Sequence, residues 1–387
     1  MSPVRSLRRP PAPRGGPVVA LPRSRRNVGW LAGWVLPLVA LATLVFGVVG
    51  FTFANRAEFV GAREAASGQQ RYLPGAPVYT SLDEVVFGRP LIFGVYRSEL
   101  PGDLRAIAAY ERATGKRIGI VHWYAKWGAW KRDFSRLDLE TAAGRGYLPM
   151  ITWEPWAAVP GDPQWSLQRA ILSGRNDSYI RSWARGMAAY GQPVLLRFAH
   201  EMHDMTYPWA VGVNGNTEED FLAAWRHVRR IFDAEGASNV QWVWNPNVLG
   251  EEPAAIHLAK YRALYPGDDL VDWVGLDIYN TGPALDWGAP RWRSFFEIFD
   301  PPYEAATTVS TKPLIIAELA STEIGGAKDE WIRQAFEHSL ALRYPRLRAV
   351  VWFDQPKEQP WHLTSSNPAF EAFVSVFRQS IFATGAP

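Results

Sequence analysis

PLIFGVYRSELPGDLRAIAAYERATGKRIGIVHWY, residues 90–124, is the stretch from which the fold can be read. An apolar run, PLIFGVY (90–96), leads into an amphipathic stretch, LRAIAAYERATG, and then into a second apolar run, RIGIVHWY (117–124). Short apolar runs suit buried strands, and an amphipathic stretch suits a helix packed on them, so this segment reads as strand, helix, strand. The alternation continues through YLPMITW (147–153), PVLLRFA (193–199), VQWVWN (240–245), VDWVGLDIY (271–279), KPLIIAE (312–318) and RAVVWF (348–353). Helical patterns such as SYIRSWARGMAAYG, TEEDFLAAWRHVRRIFDAEG and DEWIRQAFEHSLALRY lie between them, and PAFEAFVSVFRQSIF closes the last unit. Thr217 with Asp220 signals a helix start, and Gly236 a stop. Eight such units in about 300 residues predict a (β/α)8 barrel. A doubly wound sheet fits less well, since no GxGxxG follows the first strand.

Polar and aromatic residues gather where the strands end: Tyr96 and Arg97, His122 to Tyr124, Trp153 and Glu154, His200 and Glu201, Asn245 and Asn247, Tyr279 and Asn280, Glu318, and Trp352 with Asp354. In a barrel these ends share one rim, where active sites sit. Glu201 follows the fourth strand and Glu318 ends the seventh, each directly after an apolar run. An ion-paired rim carboxylate, with Arg197 as a partner, is the plain reading of either one alone. Two carboxyls facing across a barrel mouth suit glycosidic bond cleavage, one protonating the leaving oxygen and the other attacking the anomeric carbon or activating water. Among the tryptophans after strands two and three, Trp123 and Trp153 fall at strand ends and are the candidates for stacking on a sugar.

The chain has 387 residues, 48% hydrophobic and 20% charged, which excludes disorder throughout. Zero cysteines exclude a disulfide framework, a thiolate metal site and a cysteine nucleophile. Seven arginines and no acid lie in residues 1–27; subtracting them from 41 leaves 34 basic against 38 acidic residues, or −4 for the rest. The basicity is therefore local, and a nucleic-acid-binding body is not expected. Residues 28–53, VGWLAGWVLPLVALATLVFGVVGFTF, carry no charge and are long enough to cross a bilayer. With the arginine-rich flank they predict an uncleaved signal anchor, a cytoplasmic N-terminus and an exported body. The expected organisation is a basic tail (1–27), a transmembrane helix (28–53), a juxtamembrane linker (54–85) and a catalytic barrel (86–387). HEMH at 200–203 lacks the spacing of HExxH, so no metal is expected, and no phosphate-cradling or GxSxG motif is present.

In VHWYAKWG, PMITWEPW, RFAHEMHDMTYPW, GVNGNTEEDFLAAWRHV, NVQWVWNPN, DWVGLDIYN, KPLIIAELAS and AVVWFD, the sequence resembles glycoside hydrolase family 26, best known for β-mannanases, over residues 93–377. The resemblance implies a retaining mechanism on a (β/α)8 barrel without metal or organic cofactor, and a β-linked, mannan-like polysaccharide as substrate. It implies Glu201 as acid/base and Glu318 as nucleophile. His200 precedes the acid/base, Tyr279 hydrogen-bonds the nucleophile, Trp352 forms the floor beneath the sugar being cleaved, and His122 and Trp209 line the cleft. Two departures alter that cleft: His203, Asp204, Met205 and Thr206 stand where relatives carry Asn-Gly and a tryptophan, and Thr281 follows DIYN in place of a tryptophan. They remove aromatic surface and add charge. Other readings remain open: an inactive glycan-binding protein, an accessory of polysaccharide export, or a hydrolase of the host's own exopolysaccharide or of mixed-linkage glucan.

Overall fold

The computed structural model describes residues 91–128, 132–156, 165–248, 250–285, 291–336, 340–379 and 382. The expected tail, membrane helix and linker (1–85) lie outside them, and no helix among the described residues is long and apolar enough to cross a membrane. All eight expected strands are present: β1 (Ile92–Tyr96), β2 (Ile120–Lys126), β3 (Leu148–Glu154), β4 (Val194–Phe198), β5 (Val240–Trp244), β6 (Trp273–Asn280), β7 (Leu314–Ser321) and β8 (Leu347–Phe353). Each pairs in parallel with its sequence neighbours and β8 returns to β1, closing the barrel. The helices are α1 (Arg105–Thr114), α2 (Arg136–Ala143), α3 (Asp177–Tyr190), α4 (Glu218–Ala234), α5 (Ala254–Leu264), α6 (Phe295–Val309), α7 (Lys328–Ala335), α8 (Leu340–Arg343) and α9 (Asn367–Phe377).

Local chemistry sets the helix ends. Thr217 accepts from the Asp220 backbone N–H at 3.1 Å while Asp220 accepts from that of Thr217 at 3.2 Å, so α4 starts on a reciprocal cap. Gly236 then turns the chain out at φ 74°, a conformation most side chains resist.

The strands alternate between two cores. Outward residues join the helices in one large apolar layer, whereas Ile92, Ile120, Leu148, Met150, Leu195, Val243, Ile315 and Val351 plug the barrel interior. One strand breaks the alternation. Leu276 pairs with Ile316 but Asp277 pairs with Glu318, so Ala317 is an extra residue, a β-bulge. Ile315 and Ala317 face in and Ile316 faces out. Strict alternation would turn Glu318 outward, and the bulge aims it into the barrel instead.

Candidate active site

Above the apolar plug lies a polar storey built on Arg197 of β4, which is 0% exposed. Its Nη1 donates to both Asp277 oxygens at 2.9 and 3.0 Å, its Nε donates to Thr152 Oγ1 at 2.7 Å, and its Nη2 donates to Glu318 Oε1. Burial opposes the guanidinium charge, but the Asp277 and Glu318 carboxylates outweigh it and hold Arg197 protonated. Glu318 also accepts from the Tyr124 hydroxyl and, at 2.6 Å, from that of Tyr279. Burial first, and the Glu318 carboxylate next, push both phenols well above their ordinary range, so both stay protonated and donate.

Glu201 stands on a constrained loop after β4. Ala199 and Glu201 both adopt left-handed backbone, φ 46° and 50°, which costs a non-glycine residue about 1–2 kcal/mol. Surrounding bonds hold them there: Ala199 N–H donates to the Trp153 carbonyl at 3.1 Å and Glu201 N–H to the Asn245 carbonyl at 2.7 Å. The Trp209 indole N–H donates to the His200 carbonyl at 2.7 Å. The Glu201 carboxyl hydrogen-bonds Asp277. Burial, and then the neighbouring Asp277 and Glu318 charges, push Glu201 well above the usual carboxylate range. Burial pushes Asp277 up as well, but Asp277 already accepts from Arg197 and, at 2.9 Å, from Asn245 Nδ2. With those donors on Asp277, the shared proton belongs on Glu201. One continuous chain of polar contacts thus joins Glu201, Asp277, Arg197 and Glu318.

Glu201 and Glu318 open into a cleft of about 550 Å³, which Asp277 also lines. Tyr96, Tyr124 and Phe353 form its floor side, with Trp156 and Tyr207 on one wall and Lys357, Glu358 and Trp361 on another. Buried Lys328 of α7 positions the last wall. Its ammonium donates to the carbonyls of Pro360, Trp361 and His362 at 2.9, 3.2 and 3.0 Å, and to Ser365 Oγ at 2.9 Å.

Residues 146–306 match the model of Glycosyl hydrolase family 26. The chain is 38% identical to Endoglucanase H of Acetivibrio thermocellus over 273 residues, 69% of this chain and 28% of that protein. The chain belongs to glycosyl hydrolase family 26. It is also 28% identical to the Beta-1,3-xylanase TXYA of a Vibrio species, over 46% of this chain and 36% of that protein. It therefore spans about a third or less of the length of these curated relatives. Among solved structures, a Cellulomonas fimi endo-β-1,4-mannanase superimposes with a TM-score of 0.62 at 15% identity, covering 80% of this chain and 76% of that one, a likeness of fold.

Within this family 26 barrel the structure brings Glu201, Glu318 and Tyr279 together in the cleft. His200 sits beneath, with Nε2 3.9 Å from Glu201, too far for a hydrogen bond; burial, then Arg197, holds it well below its ordinary range and neutral. His122 lies deeper, sharing a 2.6 Å hydrogen bond with Thr152 Oγ1, and does not line the cleft as expected. Trp209 is likewise buried behind Tyr207, on which it stacks at 4.5 Å, and acts on the cleft through the loop it ties down.

The expectations for Trp123, Trp153 and Trp352 need correction, for all three point out of the barrel into the helix layer. Trp153 packs against Trp127, Trp183 and Phe232, and Trp352 donates its indole N–H to the Trp361 carbonyl at 2.9 Å. The aromatic surface facing the cleft comes instead from Tyr96, Trp156, Tyr207, Phe353 and Trp361. Asp277 was not singled out either, although an acid inside the apolar run WVGLDIYN was its visible signal.

Proposed function

We propose that the chain is a retaining endo-β-glycosidase that cleaves a β-linked polysaccharide by double displacement. The observation that carries this reading is the polar chain from Glu201 through Asp277 and Arg197 to Glu318 at the edge of one cleft. Glu201, holding the shared proton, donates it to the departing glycosidic oxygen. Glu318, oriented by Arg197, Tyr124 and Tyr279, attacks the anomeric carbon and forms a glycosyl ester. Glu201 then takes a proton from the water that hydrolyses the ester. Asp277 accepts from Glu201 when it is protonated, and Arg197 balances Asp277 and Glu318. No metal or organic group enters these steps.

A β-glucan is the first substrate to test, because the 38% identical relative is an endoglucanase; mannan is the second, on the family resemblance. The departures at Asp204 and Thr281, both at the cleft, support the first choice over the second. The uncharged residues 28–53 and the arginines before them support an anchored enzyme with its barrel outside the cytoplasm. Proton NMR of nascent product tests the mechanism: retained anomeric configuration in the wild type and no turnover in Glu318→Ala are expected. Inverted product, or full activity in Glu318→Ala, refutes it.

A further inference from the structure

The wall that follows β5 and β6 carries two polar side chains, Asn247 and Arg293, that line the cleft and have no part in the displacement mechanism. Both are more than nine-tenths buried, Arg293 at 6% exposure and Asn247 at 7%. Arg293 is fixed just before α6: its backbone N–H donates to Asn280 Oδ1 at 3.4 Å, and its carbonyl accepts from the Trp331 indole N–H at 3.0 Å. Its Nη1 donates to the Gly250 carbonyl at 2.8 Å, the one hydrogen bond of its guanidinium among the described residues. No carboxylate among them pairs with it, because the nearby acids Glu251 and Glu297 each stand 2.9 Å from Arg291. The Asn247 amide makes no hydrogen bond with any described residue. The enclosed side-chain atoms that lack a partner belong to other residues, so the spare N–H groups of Arg293 and the amide of Asn247 are open to the cleft.

Fixed donors and an acceptor at a cleft wall are what sugar hydroxyls satisfy, since each hydroxyl both gives and takes a hydrogen. Asn247, Val248, Gly250, Thr281 and Arg293 bring no aromatic ring to this wall, so recognition there falls to hydrogen bonds. The wall also continues from the acid/base, whose backbone N–H bonds the carbonyl of Asn245, two residues before Asn247. We propose that Arg293 and Asn247 form a subsite for the leaving-group sugar, an uncharged pyranose. The guanidinium donates to hydroxyl oxygens, and the Asn247 amide oxygen accepts a hydroxyl hydrogen. The leaving group takes its proton from Glu201, so the sugar it belongs to extends along the wall beside Glu201. A uronate is disfavoured, because Asp204 and Asp277 line the same cleft. The proposal rests on the glycosidase reading and deepens it by naming the residues that hold the departing half of the substrate.

The test compares kcat/KM of the full chain and its Arg293→Met, Arg293→Lys and Asn247→Ala variants on two kinds of substrate, with thermal unfolding as a check that each variant folds. One kind is the polymer: mixed-linkage β-glucan, mannan or xylan. The other is the matching β-trisaccharide fluoride (cellotriosyl, mannotriosyl or xylotriosyl), which has a single atom as leaving group and so puts no sugar against this wall. For both kinds kcat/KM reports the barrier to the glycosyl ester. On the polymer that the wild type cleaves, Arg293→Met should lose about 10- to 100-fold, the loss of hydrogen bonds from a charged donor, and at least about fivefold less than that on the fluoride. Asn247→Ala should show the same contrast, with a loss of about 3- to 10-fold on the polymer. Arg293→Lys keeps the charge without the planar fork and should fall between Arg293→Met and wild type; it decides alone if Arg293→Met misfolds. Equal losses on polymer and fluoride overturn the subsite, by placing Arg293 in the fold or the chemistry. Unchanged kcat/KM on the polymer in a folded Arg293 variant overturns it too, and in both cases the glycosidase reading stands. A wild type that cleaves none of the polymers and none of the fluorides overturns the glycosidase reading and the subsite with it.

Discussion

Replacing Glu154 with glutamine should stabilise the protein, and by an amount that depends on pH. Burial raises the Glu154 carboxyl from its usual 4.5 to about 7, opposed in part by Lys126, by a hydrogen bond from the Trp156 side chain and, more weakly, by Arg197, and reinforced by Glu318. Because the folded-state value lies above the unfolded one, the native state holds the extra proton between the two, and stability falls as pH rises through that window. The shift from 4.5 to about 7 corresponds to about 3 kcal/mol at 1.36 kcal/mol per unit, and at 3% exposure little of it is screened. Glutamine has the same shape and no charge, so it avoids that cost. For roughly 290 folded residues, unfolding entropy near 0.6 kcal/mol/K converts about 3 kcal/mol to about 5 °C. Calorimetric Tm values of wild type and Glu154→Gln should therefore coincide near pH 4.5 and diverge to about 5 °C by pH 8, with the variant higher. A gap that is constant across pH, or a variant less stable at pH 8, would refute the reasoning. A carboxyl that costs stability at neutral pH is the kind of residue a binding site retains.

Arg197→Met should destabilise by about 3–5 kcal/mol at pH 7, because Asp277 and Glu318 lose their buried counter-charge. Denaturant unfolding should show the penalty shrinking as pH falls and Asp277, which burial pushes up, protonates. Asp277→Asn removes a charge that holds the Glu201 proton, so the alkaline limb of the kcat/KM profile should move to lower pH. Gly275→Ala would place a Cβ 2.2 Å from Asn245 Oδ1, displacing the side chain that donates to Asp277. Its kcat should fall at least about tenfold, with a stability loss of about 1–3 kcal/mol in thermal unfolding. Lys328→Met strips a buried donor from three carbonyls and should cost about 3 kcal/mol while loosening the wall that carries Trp361, seen as a lower Tm and a higher KM.

The strands were legible in the sequence because each is a dense apolar run between helical patterns, and Glu201, Glu318 and Tyr279 were legible as polar residues at strand ends. The misplaced tryptophans show what strand ends alone do not tell. Neighbouring residues on a strand face opposite sides, so Tyr124 reaches the cleft while Trp123 enters the helix layer, and Phe353 faces in while Trp352 faces out. Trp361 lies beyond β8 in a stretch without periodicity, and its place depends on Lys328, 33 positions away, and on the outward-facing Trp352. The pairing of Arg197 with Asp277 spans 80 positions, and no local pattern announces it.

The extra residue in β7 also constrains how this barrel can change. Straightening the strand with Ala317 kept would restore regular over-and-under facing along it. The carboxylate after it would then swing about half a turn into the greasy layer beneath the helices, leaving Tyr124 and Tyr279 with nothing to grip. Lineages or designers smoothing this wall must remove one residue together with the kink, not merely conserve the chemistry.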